Sequence, residues 1–323
     1  MNIDWLLVAT SLGIGIVVGL TGMGGGALMT PVLVLVFGIP PLTAVSSDLV
    51  AAAVMKPVGS IVHLRRGTVN LSLVKWLCVG SVPMAFLGVI VIKSFGTEAT
   101  IQHIVQVSLG VALLIAACGL AVRAYARLLE RARRRDGRAD PLPQERPQVA
   151  VRVLPTILVG AIGGLVVGMT SVGSGSLIIV ALMALYPVLK ASQLVGTDLV
   201  QAVPLVAAAA VAHIFFGDFQ LALTTSLLIG CVPGAWLGAR LSSRAPGGFV
   251  RRALVFVLLA SALKLLGLGT AQTGIILLAA LLVAPTAWMV VRRAKGFPAL
   301  GRGRRASVLA VFGLANGRQA PTR

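Results

Sequence analysis

Acidic residues are the rarest charges in this sequence: nine Asp and Glu face 28 Lys and Arg in 323 residues, and charged side chains of both signs make up only 11% of the chain. Carboxylates so few and so scattered exclude a catalytic carboxylate pair. No Ser/His/Asp, H-E-x-x-H or paired-Cys constellation lies in the apolar stretches to suggest another kind of enzyme. Cysteine is scarce too. Cys78, Cys118 and Cys231 sit inside apolar runs with no C-x-x-C spacing, which excludes a disulfide framework and a thiolate metal site, and no cofactor or metal is expected. No Lys or Arg precedes the first apolar stretch, "MNIDWLLVATSLGIGIVVG". The basic n-region of a cleaved signal peptide is lacking, and the segment is expected to remain as a first helix.

What the chain has in abundance is apolar surface: 57% of its residues are hydrophobic and its mean hydropathy is +0.97. That is too apolar for a soluble domain of this length, so the chain is expected to be an integral, multi-pass membrane protein with the lipid bilayer as its main partner. The net charge of +19 lies between apolar runs rather than on one face, a positive-inside pattern that excludes nucleic acid as a partner. Five apolar stretches precede the segment "RAYARLLERARRRDGRADPLPQERPQVAVR", residues 123–152, and six follow it; the segment holds nine Arg, four acidic residues and three Pro. It reads as a solvated linker, helical at its start. Most of the stretches reach the roughly 20 residues that a bilayer core requires. Those at 27–38 and 175–188 are short, and whether they span is open.

The stretches before and after the linker are copies of one unit. Val45–Gly88 aligns with Val195–Gly238 at a constant offset of 150, with 16 identities in 44 positions that include Asp48/Asp198, His63/His213, Gly67/Gly217 and Pro83/Pro233. Upstream, "GLTGMGGGAL" from Gly19 matches "GMTSVGSGSL" from Gly168 at an offset of 149. The expected fold is therefore all-α: a polytopic transmembrane bundle of two five-element repeats with Gly-rich broken helices or hairpins. Residues 1–122 form the first repeat, 123–152 the linker, 153–270 the second repeat, 271–292 a last transmembrane helix and 293–323 a basic tail. With the Arg-rich linker and tail in the cytoplasm, the first repeat starts outside and the second inside, so matching loops fall on opposite sides and the repeats are inverted. The membrane is then the cell's inner membrane, and an oligomer of identical chains is left open.

The glycine run at Gly22, Gly24, Gly25 and Gly26 lacks both the strand of a dinucleotide fingerprint and the Lys-Ser or Lys-Thr pair of a phosphate loop. In an inverted-repeat membrane protein it reads instead as a helix break near mid-membrane whose backbone receives an anion, with Gly173 and Gly175 as its counterpart; close helix packing is the alternative. Lys56 is the one Lys or Arg well inside an apolar span, so it is either an anion ligand or an internal partner of Asp48. Asp48 and Asp198 are candidate proton carriers or ordinary N-caps. Ser46, Ser47, Ser171, Ser174, Thr197 and Gln201 are candidate hydrogen-bond donors to an oxyanion, or helix-to-helix contacts. His63 and His213 suit a proton relay by their titration range, although their place at span ends suits an interfacial role as well.

The motifs "GLTGMGGGALMTP", "AVSSDL", "VMKPVGSIVHLRRGTV" and "GSVPMAFLG", echoed by "VGTDLVQAVP" and "GCVPGAWLG", resemble those of the sulfite exporter TauE/SafE family of permeases over roughly residues 5 to 270. The resemblance implies two inverted halves with a binding site between them. It also implies transport of a small anion such as sulfite or an organosulfonate, coupled to a proton gradient. Two departures stand out: Ser46-Ser47-Asp48 replaces an expected Gly-Thr-Asp, and "SVGSGS" in the second repeat has no Gly triplet. The other classes still open are a membrane-embedded enzyme and a non-transporting assembly subunit.

Overall fold

The computed structural model describes residues 4–21, 25–65, 67, 69–135, 150–189, 191–241 and 247–294. Eleven α-helices occupy these residues: α1 Trp5–Thr21, α2 Gly26–Leu35, α3 Pro41–Arg65, α4 Leu71–Lys93, α5 Glu98–Arg135, α6 Val153–Thr170, α7 Leu177–Leu185, α8 Ala191–Phe216, α9 Leu221–Leu241, α10 Gly247–Leu265 and α11 Thr270–Ala294. Among the described residues, seven helical segments are long and apolar enough to cross a membrane. The protein is an all-α polytopic bundle. The short stretches resolve as α2 and α7, of 10 and 9 residues, which reach only about 15 Å into a hydrocarbon core of about 30 Å. α7 is joined to α6 by a break in the helical course at Ser171–Ser176.

Small residues decide which helices touch. Without a hydrophobic drive between helices in lipid, close approach depends on missing side chains. A Cβ at Gly230, Gly234 or Gly238 of α9 would strike the α1 backbone at Val8, Leu12 and Ile16 respectively. One at Gly160, Gly164 or Gly168 of α6 would strike the α4 backbone at Leu77, Ser81 and Ala85. The first helix of each repeat is thus packed on the fourth helical element of the other, at corresponding positions, and in both pairs residue numbers rise together along the two helices.

The repeats also meet through α3 and α8. Ser46 Oγ lies 2.8 Å from His213 Nδ1, and the Ser60 hydroxyl, shared with Lys56 O at 3.0 Å, reaches Leu199 O at 2.8 Å. Residue numbers rise in α3 as they fall in α8, so these two corresponding helices run in opposite directions. Pro57 and Pro204 lie inside them, and each removes an amide that would have bonded the carbonyl four residues earlier. Apolar side chains from both repeats, among them Leu49, Leu77, Ile178, Leu182 and Leu205, fill the space around this crossing.

The helices up to Ala124 and from Glu145 to Thr273 form one compact unit, and a second comprises Tyr125–Gln144 and Gly274–Arg323. Within the second, α11 exposes or half-exposes every described residue from Gly274 on and ends in Arg292 and Arg293. Its length and apolar composition suit a membrane crossing that ends in basic residues. The linker's start is helical, as its composition suggested, because α5 continues to Arg135.

Candidate functional site

The break between α6 and α7 is shaped by backbone conformations that few residues accept. Ser171 has φ 59°, Gly173 φ 132° and Gly175 φ 95°, the last two in a range that side chains disfavour. Across the bundle, Gly25 is different: with φ −59° and ψ −33° it is an ordinary helical residue at the start of α2, and a Cβ there would meet only the flexible Met55 Cε at 3.3 Å. Gly26 abuts the second break directly, since its Cβ would collide with the Ser171 backbone. The start of α2 therefore touches the break between α6 and α7. Gly22 and Gly24 lie outside the described residues.

Four charged side chains converge on the second break. Ser171 Oγ donates to Asp48 Oδ2 at 2.6 Å, and Thr30 Oγ1 donates to the same oxygen at 2.8 Å. Lys56 Nζ donates to Ser174 Oγ at 2.6 Å. The Gly175 amide donates to the Asp198 carboxylate, and Arg123 Nη1 donates to the Gly175 carbonyl at 2.9 Å. Three of these charges come from the first repeat and its extension on α5, and one from the second. Asp48, Lys56 and Asp198 are 2%, 7% and 1% exposed, and Lys56 lies within electrostatic range of both carboxylates. Charges at such depth survive only when balanced, and here two cations stand against two carboxylates.

Several sequence expectations are corrected by this arrangement. Asp48 and Asp198 are not N-caps: each is the eighth residue of its helix, well inside α3 and α8. Lys56 donates its hydrogen bond to Ser174 while it lies within electrostatic range of Asp48. The first amides of α7 are not presented to a ligand, because those of Ser176, Leu177 and Ile178 all turn onto Gly173 O. Donors at this break are therefore Lys56, Arg123 and the Ser174 hydroxyl.

The remaining candidates divide. Gln201, one turn beyond Asp198, donates from Nε2 to Ser81 Oγ at 2.6 Å while its Oε1 is buried without a partner; Ser47 Oγ is buried and unpartnered as well. Thr197 accepts from the Asn70 amide at 3.1 Å, a helix-to-loop contact. His63 is half-buried near the end of α3. Ser46 and His213 belong to a second cluster. Fully buried, His213 places Nε2 2.7 Å from Gly168 O and Nδ1 on Ser46, whose hydroxyl also accepts from the Asp218 amide at 3.2 Å. Asp218 in turn accepts from Thr43. An interfacial role does not fit a histidine that satisfies a carbonyl in the last turn of α6 and ties it to α3. His213→Ala should cost about 1–3 kcal/mol by stranding both buried partners, read as a lowered thermal midpoint of the purified protein.

Arg123, Thr30 and Ser81 were missed by sequence reasoning. Arg123 opens the Arg-rich linker, where one basic residue among nine carries no mark of its own. Thr30 and Ser81 are single hydroxyls in apolar runs.

A sequence model described as "Sulfite exporter TauE/SafE" matches residues 7–265. The probable membrane transporter protein YjnA of Bacillus subtilis (strain 168) is 38% identical over 263 residues, covering 80% of this chain and 98% of the relative. From the same organism, the probable membrane transporter protein YdhB is 24% identical over 259 residues, covering 77% of this chain and 94% of the relative. No solved structure matches.

Proposed function

The chain belongs to the sulfite exporter TauE/SafE family, and from that premise we propose that it moves a small, sulfur-containing oxyanion through a site formed by Lys56, Arg123 and the Ser171–Ser176 break. It is a multi-pass membrane transporter and not an enzyme. The observation that carries the anion reading is Lys56: a lysine 7% exposed in a membrane-crossing helix, hydrogen-bonded to the helix break of the other repeat. An intramembrane cation at a helix break between two repeats is a place for an anion to dwell. The family's description supports sulfite, a sulfonate or a related anion as cargo. Labelled sulfite and methanesulfonate should enter proteoliposomes saturably and exchange against the unlabelled anion; liposomes in which neither moves faster than in protein-free controls would sink the reading.

The opposed directions of α3 and α8 support halves inverted across the bilayer, which is how a single site between them can open to either side in turn. The charge pattern supports an inner membrane with the linker and tail in the cytoplasm. Single cysteines at Ala132 and at Asp218 should then differ in intact cells: the second reacts with an impermeant thiol reagent and the first reacts only after lysis. Equal labelling from outside would contradict the inversion.

A further inference from the structure

Asp48 and Asp198 occupy corresponding positions in the two repeats, yet their surroundings are not equivalent. Asp48 Oδ2 already receives two hydroxyl protons, from Thr30 and Ser171, so an added proton there would face two donors. Asp198 receives the Gly175 amide, but its Oδ1 is buried and has no hydrogen-bond partner among the described residues. Gln201 Oε1, three residues on and thus on the same face of α8, is likewise a buried acceptor without a donor. Two stranded acceptors one turn apart on one helix face are costly in a membrane interior. One proton on Asp198 Oδ1 supplies an O–H that Gln201 can accept, satisfying both.

The charges around Asp198 determine when that proton is held. Lys56 of α3 and Arg123 of α5 are the cations that reach it. Asp48 shares Lys56 with it. On α4, Lys75 stands 5.3 Å from the Trp76 ring and Lys93 ends the helix, while α6 and α7 bring no titratable side chain. With the site empty, two cations balance two carboxylates. An anion that takes up Lys56 and Arg123 leaves one negative charge in excess, and protonating Asp198 removes it.

We propose that Asp198, and not its repeat counterpart Asp48, is the group that binds a proton when an anion occupies the site, so that one proton crosses with each monovalent anion. This rests on the anion reading above. The step is a simple protonation: the anion keeps its charge, the carboxylate gains the proton from water, and the loaded site is neutral.

Methanesulfonate is the probe, a strong-acid anion whose charge does not change near neutrality, with proton movement followed by a pH dye inside proteoliposomes. The wild type should take up one proton per anion, and its apparent affinity should fall about tenfold per pH unit on the alkaline side. Asp198→Asn should still exchange anion, with a proton ratio near zero and a flat pH profile, and Asp198→Glu should restore the ratio. Gln201→Met should move the wild-type profile about one unit toward acid, as expected for loss of a hydrogen bond to the protonated form. Asp48→Asn should keep a ratio of one in whatever fraction of it folds. An unchanged ratio in Asp198→Asn, or anion flux without protons in the wild type, overturns the proposal alone. A wild type that moves neither methanesulfonate nor sulfite overturns the anion reading and the proposal with it.

Discussion

Replacing Lys56 by Gln should weaken anion binding by about ten- to a hundredfold, the worth of one hydrogen bond to a charged group. The side chain lies 7% exposed beside Ser174, within electrostatic range of Asp48 and Asp198. Gln is one atom shorter and uncharged, so it loses the charge-assisted hydrogen bond. Lys56→Arg keeps the charge with a planar, bulkier head and should retain part of the affinity. A purely structural lysine gives another pattern: Lys56→Gln then lowers the thermal midpoint through the carboxylates left uncompensated, Asp48→Asn added to it restores the midpoint, and anion affinity per folded molecule does not change. Calorimetric binding alongside thermal unfolding separates the two.

The second large effect is expected at the break. Gly175 has φ 95°, and a β-branched residue there is strained by about 1–3 kcal/mol. Its amide and carbonyl are also the points at which Asp198 and Arg123 hold the loop. Gly175→Val should abolish transport while the protein still inserts in the membrane. Gly25→Val should be much milder, because Gly25 is helical and its nearest neighbour is a flexible methionine tip. Equal loss in both variants would mean that the two glycine positions are interchangeable, contrary to their backbone geometry.

That contrast shows how far the sequence could be read. Glycines at matching positions of a duplicated motif announced the helix break at Ser171–Ser176, and charged residues within apolar runs announced Asp48, Lys56 and Asp198; both signals are local, since a membrane interior tolerates neither without a reason. Conformation was not local. Gly25 and Ser174 align in the two repeats, yet one opens a helix while the other receives Lys56. The N-cap reading of the aspartates failed because α3 and α8 begin seven residues earlier than each aspartate. Arg123 was illegible for a different reason: its role depends on α5 bringing it to the Gly175 carbonyl, 52 residues away in sequence, and no periodicity encodes such a meeting. His213 looked interfacial by position and proved fully buried, because its face of α8 meets Ser46 of α3 and Gly168 of α6.

The claim on which everything else depends is that an anion sits among Lys56, Arg123 and the Ser171–Ser176 break. Locating it directly needs an anion that announces itself, and selenite, which replaces the sulfur of sulfite by a strong anomalous scatterer, serves that purpose in crystals of the purified protein. The expected result is one anomalous peak within hydrogen-bond reach of Lys56 Nζ, present in wild-type crystals and absent from those of Lys56→Gln. A peak elsewhere in the bundle that survives Lys56→Gln, in protein that carries sulfite across a membrane, would place the site on other residues and contradict the account.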